Sequence, residues 1–186
     1  MSNAFIKTVE KPKISLKTQV LATITAIVAA VALPQLFHAI GALSGTGTAT
    51  GEIFLPMHLP VILVGLLAGP YVGAVAGLAS PMVSYLLSGM PGMVMLPFMM
   101  IELMMYGLFG GLLRKVKLPV IAKVFSIQVA GRAIRALAIL VAVYVLGNAK
   151  LSVAVIWNSI VTGLPGIILQ LALIPMAVHW VEKHEQ

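Results

Sequence analysis

Three ionisable side chains stand where charge is expensive: Glu102, Arg132 and Arg135 each fall well inside a run of apolar residues. Charges in such surroundings are rare and usually face one another or a wet cavity, so each marks a candidate site. A carboxylate supplies acceptors and a guanidinium supplies a planar fork of donors, a combination suited to holding a small polar molecule. Arg132 and Arg135, three residues apart, share nearly one helix face. His58, Tyr85 and Asn158 add an imidazole, a phenol and a carboxamide from other apolar runs, and His38 lies near the end of the first. Tyr85 or Trp157 offers a ring on which a flat ligand can stack. This is binding chemistry rather than catalysis: Ser80, Ser84 and His58 form no recognisable set of nucleophile and base.

Each group also has a plainer reading. Glu102 and Arg135 can form a buried ion pair that pins two helices. His58, flanked by Pro56 and Pro60, can bond a backbone carbonyl that the prolines release. Asn158 can be interhelical glue. The methionines Met90, Met93, Met95, Met99, Met100, Met104 and Met105 suit a surface that repacks. A thioether copper site is disfavoured, since no histidine or cysteine cluster accompanies them. No metal and no cofactor is expected.

The elements that must position these groups are membrane helices. Of the 186 residues 60% are apolar and 9% charged, a balance that belongs in lipid. The fold class is therefore an all-α membrane protein in a single domain over residues 1–186. A bilayer core takes about 20 apolar residues per helix. Six runs meet or approach that: Thr18–Ile40, Ile53–Ala68, Pro70–Leu87, Val94–Leu113, Val120–Leu146 and Leu151–Val181. With a rise of about 1.5 Å per residue, Glu102 lies roughly 12 Å and Arg135 roughly 16 Å below the outer ends of their helices, Arg132 one turn deeper. His58, Tyr85 and Asn158 fall in the same outer half, which points to a hydrated pocket open to the outside.

Basic residues beside membrane helices stay in the cytoplasm. Lys7, Lys11, Lys13 and Lys17 precede the first run, Arg114, Lys115, Lys117 and Lys123 flank the link between the fourth and fifth, and Lys183 follows the sixth. Six transmembrane helices with both termini cytoplasmic put all of these on one side and leave Lys150 on the other. Residues 1–17 are then a cytoplasmic segment before a retained first helix, since the apolar run is too long for a signal-peptide core. The formal charge of +7 is read as topology-setting, with no nucleic acid as partner, because the basic groups edge apolar runs instead of forming a solvated face. The chain has no cysteine, which excludes disulfides and cysteine-ligated metal.

Two connections on the outer side can act as gates: Gly41–Glu52, rich in glycine and hydroxyl residues, and Ser88–Met93, with Gly89, Pro91 and Gly92. Small residues every fourth position allow close helix packing in lipid. Ala22, Ala26 and Ala30 form one such ladder, available to internal packing or to a membrane partner. Gly65, Gly69, Gly73 and Gly77 form another, interrupted at Gly69-Pro70 and so suggestive of a tight helical hairpin.

Taken in order, Met57-His58-Leu59-Pro60-Val61, Gly65-Leu66-Leu67-Ala68-Gly69-Pro70, Gly89-Met90-Pro91, Glu102-Leu103 with Tyr106-Gly107, and Ala130-Gly131-Arg132 resemble the substrate-binding S component of energy-coupling factor (ECF) vitamin transporters. The resemblance implies a six-helix subunit of the cell's inner (plasma) membrane that captures a small-molecule vitamin from outside and works with a transmembrane coupling subunit and two ATPase subunits. It also implies that Ala22, Ala26 and Ala30 dock on the coupling subunit and that the two outer connections gate the site. The chain itself has no Gly-x-x-x-x-Gly-Lys-Ser/Thr phosphate loop, so ATP hydrolysis falls to partners.

Pyridoxine or hydroxymethylpyrimidine leads as ligand, with Glu102 accepting from a ring amine or protonated nitrogen. Pantothenate follows, with Arg132 or Arg135 taking its carboxylate, and cobalamin remains open. A self-powered secondary transporter is the competing class; it commonly carries internal repeats, and none is evident.

Overall fold

The computed structural model describes residues 15–47 and 49–184. Lys7, Lys11 and Lys13 lie outside the described residues, as does Thr48 of the first outer connection. Every regular element among the described residues is helical. They are α1 (Leu16–Leu43), α2 (Ala49–Phe54), α3 (His58–Ala68), α4 (Pro70–Ser88), α5 (Leu96–Leu113), α6 (Val120–Leu140, ending in a π-helical turn Val141–Val145), α7 (Ala154–Thr162) and α8 (Leu164–His184). Among the described residues, six segments are long and apolar enough to cross a membrane: Leu16–Leu43, Ala49–Ala68, Pro70–Ser88, Leu96–Leu113, Val120–Val145 and Leu164–His184. The first begins at Ser15, whose side chain accepts a hydrogen bond from the Thr18 amide at 3.2 Å and so caps the helix.

The second and last runs are broken. The Ala49–Ala68 span consists of α2 and α3, separated at Leu55–Met57, where Leu55 takes a positive φ of 49°. Leu151–Val181 is not one long helix: α7 ends at Thr162 and α8 begins at Leu164, and only α8 has membrane length. Asn158 therefore belongs to a separate short helix, not to the sixth span. The break falls at Gly163, just before Pro165, in a run longer than a single bilayer span requires.

α5 is the central helix, packed against α3, α4 and α6. The glycine ladder explains how. A Cβ on Gly65 or Gly73 would strike the Gly107 backbone, one on Gly77 would strike Leu103, and one on Gly111 would strike Gly69 and Pro70. The small residues of α3 and α4 thus receive α5 at backbone contact, where dispersion contacts are dense and no side chain intervenes. The α3–α4 hairpin turns at Gly69, whose φ of 111° suits glycine.

The alanine ladder also faces inward. Ala26 packs with Val64, Val72 and Ala76, with Ala22 beside it, and Ala30 is fully buried against the core of α3 and α5. Internal packing, one of its two sequence readings, is present within the chain by itself. The exposed side of α1 carries Leu21, Ile24, Val28 and Leu36 instead.

Candidate functional site

One cavity of about 400 Å³ lies at the end of the bundle where α1, α4 and α6 finish and α3 and α5 begin. Its size falls within the usual range for small-molecule sites, about 300–1,000 Å³. α1 supplies Pro34 and His38, the α2–α3 break supplies Leu55, Pro56, Met57 and His58, and α4 supplies Ser84. Met99 and Glu102 come from α5, Arg132 and Arg135 from α6, and Asn158, Ser159 and Thr162 from α7. Both outer connections reach it, through Gly51 and Glu52 at one side and Met90, Pro91 and Gly92 at the other. Beneath it the cluster of Met57, Val61, Leu103, Tyr106, Ile127 and Ile174 fills the bundle with apolar side chains.

The sequence singled out His38, His58, Glu102, Arg132, Arg135 and Asn158, and all six line this cavity. Tyr85 does not; Ser84, buried one position earlier, takes that place, because one residue turns a helix face by about 100°. Trp157 is 70% exposed and also outside the lining. No tyrosine or tryptophan ring is therefore available for stacking, and the aromatic surfaces of the lining are the two imidazoles. Met90, Met95 and Met99 give the wall its soft apolar part.

Glu102 is 1% exposed and both its oxygens are engaged. Arg135 Nη1 donates to Oε2 at 3.0 Å, and Tyr106 Oη donates to Oε1 at 2.7 Å. The Tyr106 ring, tilted against His58 at a centroid distance of 5.3 Å, is seated because residue 131 is glycine: a Cβ there would run into it. The ion pair read as the plain alternative is thus present, and it forms part of the cavity wall. Arg132 differs. It lines the same cavity without a hydrogen bond or ion pair among the described residues, and its Nε is buried and unpartnered, as is Arg135 Nε.

A second polar chain lies behind the wall. Gln128 Nε2 donates to Gln170 Oε1 at 2.9 Å, and Gln170 Nε2 donates to the Leu55 carbonyl at 3.1 Å. Both glutamines are buried. They tie α6 and α8 to the break that carries His58 into the cavity. Two glutamines inside apolar runs were the available signal in the sequence, since uncharged amides in lipid-facing segments also need partners.

No group of three or more metal-ligating side chains occurs among the described residues. Among protein-family models, that of the ECF transporter substrate-specific component matches residues 13–178. No curated protein and no solved structure matches the chain. With six spans of membrane length and a match along nearly its whole length, the chain belongs to the ECF transporter substrate-specific component family, whose members are substrate-binding membrane subunits and not enzymes.

Proposed function

We propose that this chain captures a small water-soluble vitamin or vitamin precursor in the cavity between α1, α3, α5, α6 and α7, on the outer side of the cell's inner membrane. The observation that carries the reading is convergence: five of the six side chains expected at the site, His58, Glu102, Arg132, Arg135 and Asn158, come from four apolar runs and share one cavity of about 400 Å³, with His38 beside them. Apolar packing closes the cavity from below, so solute enters and leaves at the end flanked by the two outer connections. The basic residues Arg114, Lys115, Lys117 and Lys183 stand at the opposite ends of their helices, which supports an outward-facing site with both termini cytoplasmic.

Transport follows from partners. A transmembrane coupling subunit and two ATPase subunits supply energy, consistent with a chain that has no phosphate loop. Ala22, half-buried, is the member of the alanine ladder with surface to offer the coupling subunit, while Ala26 and Ala30 support it from inside.

The cavity accommodates a single-ring vitamin such as pyridoxine or hydroxymethylpyrimidine, or an open-chain one such as pantothenate. Titration of the purified chain with these vitamins tests the proposal. One of them binds with a stoichiometry of one, and Arg135→Ala or Glu102→Gln weakens it at least tenfold. Equal affinity in both variants would show that the solute sits elsewhere.

A further inference from the structure

Which solute the cavity selects can be read from the charge left over inside it. Glu102 takes hydrogen bonds from Arg135 and Tyr106 on its two oxygens, and it meets Arg132 only as a charge at longer range, with no hydrogen bond or close ion pair between them. Arg132, one turn away on the same face of α6, has no counter-charge within ion-pair distance among the described residues. The other carboxylate of the lining, Glu52, is exposed on α2, whereas Arg132 is half-buried. A guanidinium held at membrane depth without a partner is costly, and an anion that meets it recovers that cost.

The remaining lining describes the rest of the solute. Ser84, Asn158, Ser159 and Thr162 are neutral hydroxyl and amide groups, suited to hydroxyls and amides of a ligand. Leu55, Val155, Pro34, Pro91 and the methionines suit an aliphatic body, and the aromatic surface is confined to the small imidazoles of His38 and His58, with no tyrosine or tryptophan in the lining.

We infer that the substrate is a small, non-aromatic monocarboxylate bearing hydroxyl or amide groups, and that Arg132 is the residue that receives its carboxylate. The inference rests on the vitamin-capture reading and reverses the order of ligands that the sequence suggested, in which flat rings preceded pantothenate. A planar guanidinium presents two parallel N–H donors to a carboxylate, so a terminal alcohol in its place leaves the fork unanswered.

Matched solutes test this on the purified full-length chain by calorimetry: pantothenate against panthenol, its alcohol, and biotin against biotinamide, with pyridoxine and hydroxymethylpyrimidine as uncharged rings. The expected result is that pantothenate binds most tightly and panthenol at least about 100-fold more weakly, a loss typical of sites built for a polar group that the analogue lacks. Arg132→Gln brings pantothenate down to the level of panthenol and leaves panthenol within about threefold of its wild-type affinity. The wild-type comparison alone decides the question should that variant fail to fold. Tightest binding of pyridoxine or hydroxymethylpyrimidine, or equal binding of an acid and its uncharged analogue, overturns the carboxylate assignment and leaves vitamin capture standing. A chain that binds no vitamin of either kind overturns both.

Discussion

Tyr106 reaches Glu102 because Gly131 has no side chain: the ring lies where a Cβ on α6 would be, and its hydroxyl donates to the carboxylate at 2.7 Å. A packing relation between α5 and α6 therefore sets the orientation of the acid that holds Arg135. Gly131→Ala forces the ring or the helix to move, and overpacking of this kind costs about 1–3 kcal/mol. We expect a lower midpoint of thermal unfolding in detergent and weaker ligand binding together. Unchanged values for both would mean that the ring has room to give.

The hydroxyl itself can be removed without touching the packing. Tyr106→Phe deletes one hydrogen bond to a buried carboxylate, with an expected loss of about 1–3 kcal/mol. Because Tyr106, Glu102 and Arg135 form one network, the effects of Tyr106→Phe and Glu102→Gln should not add. A double-mutant cycle on unfolding free energy is expected to show coupling of at least about 0.5 kcal/mol. Additivity would argue against a shared network.

The glutamine chain makes a separate prediction. Gln170→Leu leaves the Leu55 carbonyl without its side-chain donor and cuts the tie to Gln128. The α2–α3 break then loosens, and His58 with it. Hydrogen exchange read by mass spectrometry should show faster exchange in peptides covering residues 55–58, with unchanged exchange in the centre of α5. Protection at 55–58 equal to wild type would mean that the break holds without Gln170.

Orientation is testable without background, since the chain has no native cysteine. Ser44→Cys should react with a membrane-impermeant maleimide in intact cells, and Lys117→Cys only after the membrane is opened. The reverse pattern would invert the protein and place the cavity on the cytoplasmic side.

How much of this was legible in the sequence depended on cost. Charged and amide groups in apolar runs are expensive, so Glu102, Arg132, Arg135 and Asn158 announced themselves, and Pro56 with Pro60 pointed to released backbone carbonyls around His58. Features that cost little were hidden. The length of the last run allowed for a break but did not place it at Gly163, and Ser84 rather than Tyr85 faces the cavity because a one-residue difference in helical phase is invisible to composition. The Gly131–Tyr106 relation needs two helices in contact before it exists at all. The alanine ladder was readable as a packing face, but only α3 and α4 show which neighbours cover it.

Native mass spectrometry of the chain purified from cells, followed by release and identification of whatever it carries, tests solute capture most directly. The account predicts one small water-soluble vitamin or precursor per chain, retained by the wild type and lost from Arg135→Ala. A wild-type chain that stays empty when equilibrated with vitamins and carries lipid alone would contradict it, as would equal retention by the variant.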